Sequence, residues 1–328
     1  MKITKKSILI MLILVIALSM ISSCTKTVTE TPAATADEAK TFRFVMISKV
    51  VHPWFDQVHK GALAQAESLS KETGDNIIID YQAPESADVV LQNQIIERTI
   101  ATKPDGIFID LLDPVGNRVL IQDALDNGID VVIYDSESPE GMNLTKVGND
   151  FYEQASIASD KVAELIGFKG KVAIMQGFPT APNHKIRAQA HRDTFAKYPD
   201  IEVVAEGIDN DSMEVAQQQA AAIISANPDL VGFVSCDAAG PIGIGLAIKE
   251  AGKAGVIQNV GMDDLPQLID LIAEGVVHSS SSTKPKMQGQ YSVIALWQQA
   301  IGQPAPSVID TGIGIVTQEL AKGDYTGF

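Results

Sequence analysis

From residue 41 onward, short β-branched runs alternate with segments of helical period. The runs are FRFVMI (42–47), NIIID (76–80), GIFID (106–110) and DVVIY (130–134), with helical spacing over 54–69, 87–101 and 116–127 between them. Near-continuous Val and Ile, rather than apolar–polar alternation, suits strands covered on both faces in a parallel sheet. A unit of roughly 25–30 residues fits a right-handed βαβ crossover. After Asn149 the pattern starts again. Strands are predicted at KVAIM (171–175), IEVVA (201–205), VGFVSC (231–236) and VIQNVGM (256–262), with helices over 150–166, 185–197, 213–226 and 241–250. The body therefore reads as α/β, two doubly wound, Rossmann-like parallel-sheet halves without close sequence repetition. Ligands of such sheets sit beyond the carboxyl ends of the strands, so chemistry is sought there.

The first 40 residues follow another rule. Three lysines fall within residues 1–6, residues 7–20 are almost wholly apolar, and Ile21-Ser22-Ser23 leads into Cys24. That is the layout of an export signal. A cysteine straight after small residues resembles the bacterial lipoprotein lipobox, which implies cleavage after residue 23 and lipid on Cys24. The alternative, an uncleaved anchor helix, is disfavoured because the apolar run falls short of the ~20 residues a span needs. The segment from 24 to 41 has no apolar period and is rich in Thr, Ala and Pro, as befits a flexible tether. Two or three acyl chains would hold such a protein stably on a membrane.

Composition narrows the function. With 25 basic and 41 acidic residues among 328, the net charge is −16, and loss of residues 1–23 would remove three more positive charges. Such a balance excludes a nucleic-acid backbone as main partner. Apolar residues make up 45% of the chain, enough for a substantial core. Two cysteines cannot form a disulfide scaffold or a thiolate metal cluster. The five histidines show no close pair at metal-ligand spacing, there is no GxxxxGK[ST], HExxH or GxSxG motif, and no metal or cofactor is expected. Gly240-Pro241-Ile242-Gly243-Ile244-Gly245 reads as helix entry and packing rather than as a dinucleotide loop.

Several strand ends carry candidate chemistry. Pro53 can open a helix as its first residue, which places Trp54 and Phe55 at a helix N-terminus in the crevice. Either ring could stack on the C–H face of a sugar, and either could be core. The fourth strand of the first half ends at Tyr134-Asp135-Ser136, and that of the second at Met262-Asp263-Asp264. A carboxylate there can accept hydrogen bonds from adjacent hydroxyls or cap a helix; the equivalent placement favours a ligand for Asp135 and Asp263. Asp110 and Asp113 read as caps or polar groups facing the hinge. Arg187 and His191 share a helix face at i, i+4, either as donors to ligand oxygens or as a solvated basic face. Cys236, before Asp237, reads as a buried apolar residue rather than a nucleophile.

Taken in order, HPWF, YDSE, VSCD followed by GPIGIGLAIKEAG, VGMDD and STKP resemble the ribose/galactose type of periplasmic sugar-binding protein, the type I solute-binding proteins of ABC transporters. The resemblance spans about 42–316. It implies two lobes joined by a three-strand hinge, with crossings near Asn149, Thr283 and Ile309: one lobe from 42–149 and 284–309, the other from 150–283 and 310–328. His52, Pro53, Trp54 and Phe55 stand where ribose-binding relatives carry Asn-Pro-Phe-Phe. Asp135 matches their ligand aspartate, with Ser136 where an arginine often follows. The arginine of their helix motif falls on His191, with Arg187 one turn earlier able to take that role. Their Asn-Asp pair falls on Cys236 and Asp237, their late aspartate on Asp263, their hinge glutamine on Thr283 and a second-lobe aromatic on Asn210. These departures remove much of a ribose hydrogen-bond set and imply another sugar, a polyol or a related small hydroxylated metabolite. The resemblance further implies a monomer that delivers its ligand to an ABC permease and its ATPase. A sensory receptor feeding a membrane kinase or chemoreceptor would share the same fold. An enzyme is disfavoured for want of a nucleophile–base pair, and a related transcriptional repressor for want of a DNA-binding headpiece.

Cys24→Ala should release the protein from membranes or block its maturation. Intact mass of the native protein checks this: an unmodified Cys24 would contradict the lipid anchor.

Overall fold

The computed structural model describes residues 39–328; the signal segment, Cys24 and the tether up to residue 38 lie outside the described residues. The first sheet contains β1 (Thr41–Ile47), β2 (Asn76–Gln82), β3 (Gly106–Ile109), β4 (Asp130–Tyr134), β5 (Thr145–Gly148) and a late strand, β11 (Val308–Asp310). Its order is β2-β1-β3-β4-β5-β11, with every neighbouring pair parallel. The second contains β6 (Gly170–Gln176), β7 (Ile201–Ile208), β8 (Leu230–Ser235), β9 (Gln258–Met262), β10 (Ser279–Ser282) and β12 (Gly314–Val316). Its order, β7-β6-β8-β9-β10-β12, repeats the first, except that β12 runs antiparallel to β10. Both halves thus have a doubly wound order whose carboxyl strand ends form a crevice.

Burial explains the apolar runs. β3 is buried throughout and β4 nearly so, whereas the edge strands β2 and β7 are half-exposed. The helices of the first half are α1 (Pro53–Thr73), α2 (Val89–Ala101) and α3 (Pro114–Asp126). Those of the second are α4 (Phe151–Leu165), α5 (Pro182–Phe195), α6 (Met213–Ala226), α7 (Gly240–Glu250) and α8 (Pro266–Ala273). Then follow α9 (Pro285–Ala300) and α10 (Gln318–Lys322). Polar side chains close the open N–H groups at several helix starts: Asp88 caps α2, Asp113 caps α3, Asp150 caps α4 and Ser212 caps α6. The chain passes between the sheets after β5, after β10 and after β11.

Helix α9 returns from the second crossing to pack on α1 and the first sheet. Two glycines set that contact: a Cβ at Gly61 would strike the Lys286 carbonyl, and one at Gly289 the Val58 carbonyl. Backbone against backbone leaves no side chain to give way. Gly289→Val should therefore cost about 1–3 kcal/mol or more of stability, while the neighbouring Gln290→Ala should leave it unchanged. Chemical denaturation of both variants checks this, and equal stabilities would show that the helices can separate freely.

Candidate functional site

The carboxyl ends of β1, β4, β7, β8 and β9 meet around a narrow cavity of about 20 Å³. Its walls are Lys49, His52, Trp54, Phe55 and Asp135 from the first half, and His184, Arg187, Asp211, Asp237, Ala238 and Asp263 from the second. The apolar wall is made locally. His52 caps α1, its Nδ1 accepting from the Trp54 amide at 3.2 Å, and Pro53 follows as the first helical residue. Trp54 and Phe55 then meet edge to face with ring centroids 5.1 Å apart, and Phe55 leans on Tyr134. Both rings face core and cavity together.

Asp135 and Asp263 occupy matching places. Each follows the fourth strand of its half, each is buried, and each has a left-handed backbone, φ 45° and 64°. Their amides bond to Val147 and Ser281, on the next strand of each sheet. An L-residue in this conformation is strained by roughly 1–2 kcal/mol, and here the turn aims the carboxylate into the crevice. Asp135 accepts from Asn183 Nδ2 at 2.8 Å and from Gln288 Nε2 at 3.3 Å, with Arg187 Nη2 at 3.9 Å. Asp263 Oδ1 accepts from both the amide and the hydroxyl of Thr283, whose Oγ1 in turn accepts from Trp54 Nε1 at 3.0 Å.

Arg187 is buried, with three of its five N–H groups engaged. It donates to Gln154 Oε1 at 3.0 and 3.2 Å and to the Cys236 carbonyl at 3.1 Å, and its guanidinium stacks 4.9 Å from the Phe151 ring centre. Lys49 Nζ sits 3.1 Å from Asp110 Oδ2. Burial alone would lower the lysine's pKa, but Asp110, Asp135 and Asp211 together hold it above its ordinary range. Burial pushes the carboxyl of Asp263 up to about 6, with Arg187 and Thr283 opposing. Burial and the charge of Asp211 push Asp237 up to about 7. Asp209 is also raised well above its ordinary range, by burial and by Asp237.

Of the residues singled out in the sequence, His52, Trp54, Phe55, Asp135, Arg187, Asp237 and Asp263 line the cavity, and Thr283 stands one hydrogen bond behind it. Four others lie elsewhere. Ser136 turns its hydroxyl to the Leu111 carbonyl at 2.8 Å and borders a separate groove of about 390 Å³. His191 is enclosed, bonded to Ser159 at 2.7 Å and to the Ser235 carbonyl at 3.0 Å, and burial lowers its pKa to about 4. Asn210 has φ 53° and faces solvent; the next residue, Asp211, enters the cavity instead. The Cys236 thiol is fully buried, and burial holds its pKa well above the ordinary value. Asp110 is an ion-pair partner rather than a cap. Lys49, His184, Asp211, Asn183, Gln154 and Gln288 were not singled out. A signal existed for Asn183: it stands at i−4 from Arg187 and i−8 from His191, so one helix face runs from the cavity into the core. Among the described residues, no cluster of three His, Cys, Asp or Glu could hold a metal ion.

Residues 43–304 match the periplasmic binding protein domain. The chain belongs to that family. Among curated relatives, this periplasmic binding protein is 26% identical over 248 residues to a D-apiose import binding protein of Actinobacillus succinogenes, covering 74% of this chain and 76% of the relative. Its fold is similar to a solute-binding protein of Actinobacillus succinogenes 130z solved with D-allose: TM-score 0.79, 27% identity, 86% of this chain and 99% of that one. A second, from Burkholderia graminis C4D1M with D-arabinose, gives TM-score 0.80 and 26% identity over 86% of this chain and 97% of that one.

The raised carboxyl of Asp237 has a consequence for stability. An acid that holds its proton more tightly in the fold than in the unfolded chain contributes stability that is complete below its ordinary pKa of 3.8 and lost as pH rises through about 7. The buried His184 and His191, with lowered pKa, act in the opposite sense, but only below the ordinary 6.5, where unfolded rings take up protons. Between about pH 6.5 and 8 the melting temperature of the ligand-free protein should therefore fall. Asp237→Asn should flatten that slope, and a wild-type slope retained in the variant would assign it to another group.

Proposed function

We propose that this periplasmic binding protein is the substrate-binding lipoprotein of an ABC importer. It captures a sugar, polyol or related hydroxylated metabolite between its two lobes and presents it to a membrane permease. The observation that carries this reading is the cavity wall itself. Carboxylates from both halves supply acceptors, Lys49, Arg187 and two imidazoles supply donors, and Trp54 with Phe55 supplies an apolar face. A ring or chain of hydroxyls, each of which donates and accepts, complements such a surface. The carbohydrates named for the relatives support the same ligand class.

The lobes would be 42–149 with 284–309, and 150–283 with 310–328. The three crossings act as a hinge, and closure excludes water and strengthens each polar contact. The Asn183–Asp135 and Trp54–Thr283 bonds are contacts that ligand capture would complete from both sides. Export, a lipid on Cys24 and a monomeric state complete the reading.

A thermal-shift screen of the mature protein against sugars and polyols tests it first, because a tight ligand in large excess raises stability by a few kcal/mol. No shift from any member would overturn the reading. With the ligand found, Asp135→Asn and Asp263→Asn should each weaken binding roughly ten- to a hundredfold, since a charge-assisted hydrogen bond contributes about 1.5–3 kcal/mol. Calorimetry checks this, and native affinity in both folded variants would place the ligand elsewhere. Small-angle scattering should show compaction on ligand addition; an unchanged radius at saturation contradicts hinge closure.

A further inference from the structure

The charges around the cavity do not balance. Two cations reach the cavity, one from each half, and each has its own anion: Lys49 pairs with Asp110 at 3.1 Å, and Arg187 lies 3.9 Å from Asp135. The aspartates of the second half are different. Asp209, Asp211, Asp237 and Asp263 come from the ends of β7, β8 and β9, and all four side chains are nine-tenths or more buried. Among the described residues no lysine or arginine comes within 4.0 Å of any of them. Lys49 and Arg187 act on Asp211 and Asp263 only from a distance.

Local donors absorb part of this charge. Asp237 Oδ1 accepts from the Gly240 amide at 2.6 Å, and Asp209 Oδ1 from the Asp211 amide at 2.9 Å. Asp209 Oδ2 and Asp237 Oδ2 are buried without a hydrogen-bond partner. Asp263 has Thr283. Asp211 Oδ1 has no hydrogen-bond partner although its side chain is 7% exposed. Facing it at 4.0 Å is His52 Nε2, also without a partner. His52 and His184 each accept a backbone N–H at Nδ1, so each neutral ring carries its proton on Nε2. They add donors but no charge. The carboxylates of this wall therefore stand without a cationic partner, and one oxygen each of Asp209, Asp211 and Asp237 lacks any hydrogen bond.

Unpaired buried charge is expensive, and its cost is relieved by an opposite charge with hydrogen-bond geometry. A neutral hydroxyl supplies the hydrogen bond and leaves the charge. A protonated amine supplies both, with up to three N–H donors. We infer that the ligand is cationic: a sugar or polyol in which an amine replaces one hydroxyl, its ammonium seated among Asp211, Asp237 and Asp263. The remaining hydroxyls face Asp135, Lys49, Arg187 and the two imidazoles. This inference rests on the interlobe cavity being the ligand site.

Matched ligands test it on the wild-type protein, so no variant has to fold. Calorimetry at about pH 7.5 compares glucose, 2-amino-2-deoxyglucose and its N-acetyl form; sorbitol and 1-amino-1-deoxysorbitol; and an inositol with its aminodeoxy counterpart. In at least one set the free amine should bind ten times or more tightly than both its hydroxyl parent and any acetylated form. That preference should weaken at least tenfold in Asp211→Asn, while Asp56→Asn, on the exposed face of α1, leaves it intact. A hydroxyl parent that binds as tightly as its amine overturns the cationic ligand and leaves the interlobe site standing. Absence of binding by every amine, together with absence of any neutral hit in the thermal-shift screen, overturns the interlobe site as well.

Discussion

The carboxylate of Asp135 ties the two halves of the molecule together. It stands at the end of a buried strand in one half and accepts a hydrogen bond from Asn183 in the other, with Gln288 on the returning helix completing its shell. The arginine beside it is itself fixed by Gln154, which donates onward to the Ser281 carbonyl at 2.9 Å. One chain of polar contacts therefore runs from the first sheet through the cavity to the strand beneath the second crossing. Each member is buried, so each must be satisfied or carry a desolvation cost. Loss of one partner is felt along the line.

Two kinds of packing flank this chain and keep it in register. Glycine contacts press α1 against α9, so the helix that begins with His52 and Trp54 cannot shift relative to the helix carrying Gln288. In the second half α5 is buried along a whole face, from Asn183 to Phe195, which fixes the direction of Arg187. The walls of the cavity are thus held by elements whose other faces are core. Rigid walls with a polar lining are the arrangement in which a small set of side chains can discriminate among similar ligands.

The central strands were legible because they are buried on both faces and must be Val- and Ile-rich: β1, β3, β4 and β8 announce themselves. β5, β10, β11 and β12 were not. β11 and β12 have three residues each, and β10 is four serines, which carry no apolar period. The site divides the same way. Asp135, Asp237 and Asp263 follow recognisable strands, so their position alone pointed to the crevice. His191 shares a face with Arg187, but its depth along that face depends on how α5 meets the sheet, which periodicity does not encode. Asn210 and Asp211 are neighbours, and a backbone with positive φ at both decides which side chain turns inward. Lys49 was hidden because a lysine on a loop ordinarily reads as solvated. Only the pairing with Asp110, 61 positions away in the chain, makes its burial possible.

The serine strand β10 has a mechanical consequence. Its side chains are buried but bring almost no apolar area, and two of them turn back to backbone: Ser280 to the Asp263 carbonyl, Ser282 to that of Thr283. Adhesion of β10 to β9 and to the short β12 therefore rests on directional bonds rather than on the hydrophobic effect. Directional bonds lengthen and re-form over small displacements, whereas an interdigitated apolar layer resists sliding until it separates. Weaker apolar adhesion directly beneath the second crossing makes that part of the sheet its compliant seam. Torsion applied at that crossing is absorbed there without disturbing the close-packed interior.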